Sequence, residues 1–301
     1  MTIRKAVIPA AGLGTRLYPA TKSQPKEMLP LGTRPTIQFV AEELVGAGLR
    51  QVLIVTGRQK RAIEDHFDPS DGLDPDDKCE RCSEIFDPSS VRFFYTRQSR
   101  PRGLGDAVAH AEDFVGGDNF VVALGDCVIT STERSALLRR MVEVHTCQGA
   151  AATIAVQRVS VEGTRKYGII APAEEDQGEP MRLRDIVEKP GPDKAPSNLA
   201  VCARYVFAPS IFEFLRTTAP GHGGEVQLTD AIRAMIAAGL PVYAVPLAAD
   251  ERRLDVGDFP SYARAFMQVM LTHPQFGKSL RDFARQLVEE LEATDDTGKQ
   301  E

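Results

Sequence analysis

Strand and helix patterns alternate through the first 125 residues of the chain. Short apolar runs predict buried strands, and apolar residues recurring every three or four positions predict amphipathic helices. The predicted strands are Lys5–Pro9, Gln51–Thr56, Val91–Tyr95 and Phe120–Leu124. The predicted helices are Thr36–Ala47, Arg61–Phe67 and Asp106–Val115. Because this order is typical of crossover connections, it predicts an α/β fold with a parallel central sheet and helices on both faces.

The second half of the chain has a more mixed pattern. Further strands are predicted at Ala152–Val156, Gly168–Ala171, Arg184–Val187, Leu199–Val206 and Val242–Val245. Further helices are predicted at Ile211–Thr217, Thr229–Ala238 and Phe259–Leu271. We expect these elements to extend the same sheet and to wall a second pocket beside the first.

Three segments fall outside this pattern. Residues 68–90 read as a polar, acidic, turn-rich insertion. Residues 276–292 are expected to form an amphipathic C-terminal helix, and residues 293–301 a disordered tail.

Cys79 and Cys82 in the insertion have the spacing of half a zinc site. A closed zinc site needs four ligands and no second pair stands nearby, which favours a non-metal role.

Composition argues against several classes of function. The 301 residues carry 36 basic and 42 acidic side chains, and the net charge of −6 argues against a general nucleic-acid surface. No apolar run approaches the roughly 20 residues of a membrane helix, and the first residues lack a signal-peptide pattern. Five cysteines, an odd number, favour a reducing, cytoplasmic compartment.

A glycine loop, AAGLGTR, follows the first predicted strand at Ala10–Arg16. Glycines in this position let backbone N–H groups approach an anion closely. A dinucleotide-binding fingerprint needs a third glycine where Leu17 stands, and the chain has no Walker lysine motif. Taken alone, the two glycines would most simply make a tight turn. Arg16 and the nearby Lys26 favour a polyphosphate site instead.

The glycine loop opens a longer series of motifs. The other members are Pro25-Lys26-Glu27-Met28-Leu29-Pro30, Leu124-Gly125-Asp126, Tyr167-Gly168, Val187-Glu188-Lys189-Pro190, Gly224–Asp230 and Asp255-Val256-Gly257-Asp258. Each motif has an ordinary structural explanation, such as a turn or a surface ion pair, but those explanations do not predict the ordered series. Over about residues 5–270 the series resembles the sugar nucleotidyltransferase family, above all its bacterial UTP–glucose-1-phosphate uridylyltransferases.

The resemblance implies a fold and a reaction. The fold would be a Rossmann-like, mixed, mostly parallel central sheet with helices on both faces, of the glycosyltransferase-A-like type. The reaction would join UTP to glucose 1-phosphate and release pyrophosphate. Because the attacking phosphate oxygen is already an anion, catalysis would depend on positioning and charge neutralisation. Residues 1–275 would form the catalytic domain, with a nucleotide-binding part over about 1–130 and a sugar-binding part over about 131–257. A homodimer or homotetramer is expected.

The resemblance also implies roles for individual residues. The nucleotide site would comprise Ala10, Ala11, Gly12, Leu13, Gly14, Thr15, Gln98, Gly103 and Asp126. The catalytic cations would be Arg16 on the departing pyrophosphate, Lys26 near the α-phosphate, and Lys189 on the sugar phosphate. The ligands of a Mg²⁺ cofactor would be Asp126 and Asp255. The sugar site would comprise Gly168, Glu188 and Lys189.

Other functions remain open at this point. A thymidylyltransferase would use dTTP in place of UTP, and a binding protein would hold a nucleotide sugar without turnover. The missing third glycine argues against a nicotinamide-dependent oxidoreductase. Three residues also depart from the family's usual pattern: Asp106 replaces histidine, Ala203 replaces glycine, and Phe259 replaces lysine. We expect the methyl group of Ala203 to crowd the sugar pocket.

Overall fold

The computed structural model describes residues 3–68, 90–173 and 178–297. Cys79 and Cys82 lie outside the described residues, as does nearly all of the 68–90 insertion. The described strands are β1 (Lys5–Pro9), β2 (Pro30–Leu31), β3 (Arg34–Pro35), β4 (Gln51–Thr56), β5 (Arg92–Arg97), β6 (Phe120–Ala123), β7 (Cys127–Thr130), β8 (Ala152–Arg158), β9 (Gly168–Pro172), β10 (Met181–Glu188), β11 (Leu199–Phe207), β12 (Val242–Pro246) and β13 (Arg252–Asp255). The described α-helices are α1 (Thr36–Gly46), α2 (Arg61–Phe67), α3 (Leu104–Ala109), α4 (Glu112–Val115), α5 (Ala136–Cys147), α6 (Ile211–Thr217), α7 (Leu228–Ala237), α8 (Phe259–Leu271) and α9 (Gly277–Thr297).

A nine-stranded sheet runs through the molecule in the order β5–β4–β1–β6–β11–β8–β12–β10–β9. β1 pairs in parallel with β4 and β6, and β8 pairs in parallel with β12. β10 and β11 run antiparallel to each of their neighbours. The predicted mixed, mostly parallel sheet is therefore confirmed, and both halves of the chain contribute strands to it.

Apolar side chains cover both faces of this sheet. Successive residues of a strand point to opposite faces, so Val7 and Ile8 of β1 belong to different clusters. Val7 packs in a cluster with Phe120 and Phe212, which brings α6 onto one face. Ile8 packs in a second cluster with Ile37, which brings α1 onto the other face. This arrangement leaves the carboxyl ends of the parallel strands as the open edge of the sheet, where ligands bind in such folds.

Several elements differ from the sequence prediction. The predicted helix Asp106–Val115 is two short helices, α3 and α4. β7, β13 and α5 were not predicted; β7 and β13 form a separate two-stranded antiparallel sheet. The expectation of a disordered tail is wrong over residues 293–297, because α9 continues to Thr297. The residues before this stretch, Glu289–Glu292, are strong helix formers, and the helix continues from them through threonine and aspartate residues that are not. None of the helices described for residues 3–68, 90–173 and 178–297 is long and apolar enough to span a membrane.

Candidate active site

A cavity of about 630 Å³ opens at the carboxyl ends of β1 and β6. Most of the predicted site residues line it: Ala11, Gly12, Leu13, Gly14, Thr15, Arg16, Lys26, Gln98, Gly103, Asp126, Gly168, Glu188 and Lys189. Ala10 lies just behind the wall, buried in the core cluster beneath the loop. The cavity therefore joins the predicted nucleotide residues to the predicted sugar residues.

The glycine loop presents backbone rather than side chains to the cavity. Gly14 has a φ of 67°, in the left-handed region that favours glycine, and its carbonyl accepts a hydrogen bond of 2.8 Å from Thr21 Oγ1. A Cβ on Gly12 would lie 3.6 Å from Lys26 Cε. The loop thus lies directly over the lysine side chain. Backbone N–H groups and an ammonium beside one another suit a phosphate group.

Lys26 Nζ donates a hydrogen bond to Asp126 Oδ2, and both side chains are largely buried. Burial opposes the charge on Lys26, but Asp126 and Glu27 outweigh it and raise its pKa above the ordinary value. Burial likewise opposes the charge on Asp126, but the ammonium of Lys26 lowers the pKa of that carboxyl below its ordinary range. Both groups are therefore ionised at neutral pH, which provides one cation and one anion at the floor of the cavity.

A second, fully buried ion pair supports the first. Lys60 Nζ lies 2.7 Å from Glu27 Oε2, and both side chains are buried. Glu27 is the neighbour of Lys26 in the chain, so this pair holds the Lys26 segment against the start of α2. Burial raises the pKa of Glu27, and the ammonium groups of Lys60 and Lys26 oppose that rise. Sequence reasoning missed Lys60, since no spacing rule connects it to Glu27.

Asp255 lies beside Asp126 although 129 positions separate them in the chain. β13 pairs with β7 so that Asp255 is opposite Cys127, and Val256 N donates a 3.1 Å hydrogen bond to Asp126 O. Buried Arg204 supports this segment, since its Nη2 donates to Cys127 O at 2.8 Å. The backbones of the two predicted metal ligands are thus adjacent, although Asp255 is not among the residues that line the cavity.

Asp255 also has two partners whose contacts were not predicted: Tyr167, which belongs to a recognised motif, and Arg253, which does not. Tyr167 Oη donates to Asp255 Oδ2 at 3.4 Å, and Arg253 Nη2 donates to the same oxygen at 3.2 Å. The Arg253 guanidinium lies 4.3 Å from the centre of the Tyr167 ring, a cation–π arrangement. Arg253 stands only two positions before Asp255, a spacing that places both side chains on one side of β13.

The carboxylates of Asp126 and Asp255 are of the chemical type that hard divalent cations prefer. Among the described residues, no cluster of three or more histidines, cysteines, aspartates and glutamates forms a closed metal site. Mg²⁺ does not need such a cluster, because it is usually bound by one or two carboxylates together with substrate phosphates and water. Two carboxylates on neighbouring segments, one of them in the cavity wall with the glycine loop, are compatible with that requirement.

The side of the cavity that is predicted to bind the sugar centres on Glu188. Thr229 Oγ1 donates to Glu188 Oε2 at 2.7 Å, and Lys189 Nζ lies 3.3 Å from Glu188 Oε1. Gly168 pairs with Glu188 across the β9–β10 register, and a Cβ there would come within 3.1 Å of Thr229 Oγ1. Lys189 has a φ of 44°, a strained conformation that persists at functional sites when neighbours enforce it. Thr229 was part of a recognised motif, but its contact with Glu188 was not predicted.

Gln98 and Gly103 form the opposite end of the cavity. Gln98 directly follows β5 and is 4% exposed. Its Nε2 donates to Gly103 O at 3.2 Å and to Asp106 Oδ2 at 2.6 Å. Gly103 has a φ of 106°, and a Cβ there would meet Val226 O at 2.6 Å. Only glycine fits at this position, which explains why the loop can approach the cavity so closely.

Ala203 lines the same cavity, as expected from its place in the sequence. Its φ of 56° lies in the left-handed region that favours glycine. The register between β11 and β8 shifts in this stretch, between Val201 and Tyr205. The substitution of alanine for glycine therefore brings backbone strain as well as a methyl group in the cavity wall.

Comparison with known proteins identifies the family. The family model described as nucleotidyl transferase matches residues 5–271. The chain belongs to the nucleotidyl transferase family. This family member is 43% identical to UTP–glucose-1-phosphate uridylyltransferase 2 of Streptococcus pyogenes serotype M3, over 97% of this chain and 98% of that relative.

Solved structures agree with the sequence comparison. The nucleotidyl transferase described here superposes on a UTP-bound UGPase from Acinetobacter baumannii with a TM-score of 0.85 and 36% identity, covering 95% of this chain and all of that one. It also superposes on a UDP-glucose pyrophosphorylase complexed with UDP-glucose, with a TM-score of 0.80 and 36% identity, covering 88% of this chain and 97% of that one. The predicted nucleotidyltransferase fold is therefore confirmed.

Proposed function

We propose that this nucleotidyl transferase moves a uridylyl group from UTP to α-D-glucose 1-phosphate, giving UDP-glucose and pyrophosphate. One observation carries the proposal: a single cavity joins the glycine loop, Lys26 and Asp126 to Glu188 and Lys189. A phosphate-binding wall facing a sugar-binding wall suits two phosphorylated substrates that must meet. The names of the relatives, which specify UTP and glucose 1-phosphate, favour this pair of substrates over dTTP.

The reaction needs the chain to bring two anions together. A phosphate oxygen of the sugar phosphate attacks the α-phosphorus of UTP, and the bond from that phosphorus to the bridging oxygen of pyrophosphate breaks. The backbone amides of Leu13, Gly14 and Thr15 would hold the triphosphate, and Arg16 would bind the leaving pyrophosphate. Lys26 would neutralise charge that builds at the α-phosphate.

The other wall would orient the nucleophile. Lys189 would bind the phosphate of the sugar, while Glu188 would accept hydrogen bonds from sugar hydroxyls beside the open backbone of Gly168. Gln98 and Gly103 would contact the pyrimidine edge. Asp126 and Asp255 would hold Mg²⁺, which when bound supplies further charge neutralisation between the two anions. We assign the nucleotide part to about residues 1–130 and the sugar part to about 131–257, within a catalytic unit of residues 1–275.

A substrate panel tests this proposal. Pyrophosphate release is measured with UTP and dTTP against glucose 1-phosphate, galactose 1-phosphate and N-acetylglucosamine 1-phosphate in the presence of Mg²⁺. The highest kcat/KM is expected for UTP with glucose 1-phosphate. Faster turnover with dTTP would support the thymidylyltransferase alternative. Binding of UDP-glucose in calorimetry without any turnover would support the binding-protein alternative.

We further propose that the chain forms a homodimer through α9. Phe283, Leu287, Val288 and Leu291 form an apolar stripe along this helix, and 41–61% of each residue is exposed. The first half of α9 carries Lys278, Arg281 and Arg285, whereas the second half carries Glu289, Glu290 and Glu292. Two antiparallel copies would place each basic half beside an acidic half while covering both stripes. A tetramer would need an additional interface.

Light scattering on the full chain tests the dimer. Leu287→Glu is expected to produce a monomer, whereas Val161→Glu, which changes another exposed apolar residue away from α9, should leave the dimer intact. A wild-type monomer at all concentrations would contradict the proposal.

We also propose a cytoplasmic location: Cys127, Cys147 and Cys202, the cysteines within the described residues, are all free thiols.

A further inference from the structure

The side-chain amide of Gln98 is held by two hydrogen-bond acceptors. Its Nε2 contacts Gly103 O at 3.2 Å and Asp106 Oδ2 at 2.6 Å. A backbone carbonyl can only accept a hydrogen bond, and an ionised carboxylate can only accept as well. The NH₂ end of the amide must therefore face these two atoms. The carbonyl end, Oε1, faces away from them.

This orientation determines what Gln98 offers to a ligand. Gln98 lines the cavity although it is almost fully buried, so its side chain is within reach of a ligand at this end. With both N–H groups directed at Gly103 and Asp106, the end left for the ligand is an acceptor. Uracil presents an N3–H donor between its two carbonyl groups, whereas the same atom of cytosine is an acceptor. An acceptor at Oε1 therefore pairs with uracil and repels cytosine.

Asp106 does not line the cavity itself. It lies in the first turn of α3, and the cavity wall beside it is made by Leu104 and Ala107. Gly103 O alone would favour the same amide orientation, but it also accepts the 3.1 Å hydrogen bond of Ala107 N. The shorter, charge-assisted contact to Asp106 is the stronger constraint. Any effect of Asp106 on the ligand must act through Gln98.

We propose that Asp106 is a positioning residue that sets the preference for uracil over cytosine by fixing the orientation of the Gln98 amide. This inference rests on the proposed uridylyl transfer, and it adds the residue that selects the base. It also gives a role to a position where the sequence departs from the usual histidine. A purely structural role for an acid in the first turn of α3 would affect stability and leave base selection unchanged.

The test is the substitution Asp106→Asn, which keeps the shape but allows the side chain to donate as well as accept. Gln98 can then turn either end toward it. The KM for UTP is expected to rise about tenfold with kcat within about twofold of wild type, and the ratio of kcat/KM for UTP to that for CTP should fall about tenfold. Asp106→Leu should lower the ratio as well. Asp113→Asn, an exposed acid in the first turn of α4, is the matched control.

Calorimetry with UTP and CTP provides a readout that does not depend on turnover. The ratio of the two dissociation constants should change in Asp106→Asn by about the same factor as the kinetic ratio. An unchanged UTP-to-CTP ratio in Asp106→Asn and Asp106→Leu, with only a lower melting temperature, would overturn the inference. If wild type bound UTP but turned over no nucleotide, the proposed transfer would fail, while the binding ratio would still decide the role of Asp106.

Discussion

The ammonium of Lys26 donates a hydrogen bond to the carboxylate of Asp126, which joins the segment after the glycine loop to the carboxyl end of β6. The pair places opposite charges where two phosphorylated substrates would meet. Each partner favours the charged form of the other, as the raised pKa of Lys26 and the lowered pKa of Asp126 indicate. A nucleotide that enters the cavity would find Lys26 already protonated and already positioned.

Replacing Lys26 with methionine should lower kcat sharply. The substitution keeps the length of the side chain but removes the charge proposed to lie beside the α-phosphate, and it leaves Asp126 without its buried partner. We expect a loss of at least about 100-fold in kcat, the range seen when one stabilising donor is removed from a transition state. Pyrophosphate release measures this. Lys22→Met, an exposed lysine of the same segment, is the control. Retention of a tenth of the wild-type kcat by Lys26→Met would refute the assigned role.

Substitution of Asp255 with asparagine should weaken the binding of a divalent cation. The change keeps the hydrogen bond from Arg253 but removes one anionic ligand. The Mg²⁺ concentration for half-maximal rate is expected to rise at least about tenfold. Binding of Mn²⁺ with UTP present, followed by electron paramagnetic resonance, gives a reading independent of turnover. Asp193→Asn, at an exposed loop position, should change neither quantity. An unaltered Mn²⁺ affinity in Asp255→Asn would show that Asp255 is not a ligand of the metal.

Ala203→Gly should stabilise the protein. The left-handed φ of 56° costs an alanine about 1 kcal/mol or more, and glycine adopts it without that cost. Part of the gain is offset by the greater freedom of glycine in the unfolded chain, so we expect about 0.5–1 kcal/mol in the free energy of unfolding. Urea denaturation measures it. Ala234→Gly, within α7, should instead destabilise by about 1 kcal/mol. An equal loss of stability in Ala203→Gly and Ala234→Gly would show that Ala203 is not strained.

His145 should make the protein less stable at mildly acid pH. Burial lowers its pKa to about 4, from an ordinary value of 6.5, so the folded protein keeps it neutral while the unfolded chain takes up a proton below pH 6.5. The contribution of neutral His145 to the free energy of unfolding is therefore complete above pH 6.5, and it is lost as the pH falls toward 4. Between pH 7.5 and 5.5 the loss from this group is about 1.4 kcal/mol.

Comparison with His145→Gln isolates this contribution. Glutamine does not titrate, and its amide can still bond to Thr153, the partner of His145 in the native structure. Urea denaturation at the two pH values should show a smaller acid loss in the variant, by about 1.4 kcal/mol. The same loss in both proteins would mean that His145 is readily protonated in the folded state.

Local sequence patterns predicted most of the strands and helices. β1, β4, α2, α6 and α8 have the predicted bounds, because each is long enough to show its own periodicity or is closed by clear turn residues. β7 and β13 were missed since each has only four residues and their pairing depends on residues more than a hundred positions apart. α9 extends past its predicted end into Ala293–Thr297, where threonine and aspartate are poor helix formers, and nothing in this local sequence explains the extension.

The sequence by itself determined the order of most of the elements, the sheet with its two covered faces, and the chemical groups available to the site. These follow from local periodicity and from motifs whose residues are close together in the chain. Only the tertiary structure decided that Asp255 lies beside Asp126, that Lys60 pairs with Glu27, and that Asp106 holds the amide of Gln98. Such contacts depend on how distant strands pair and on the direction in which each side chain then points. Backbone hydrogen bonds between segments far apart in the chain determine both, and the local spacing of residues does not encode them.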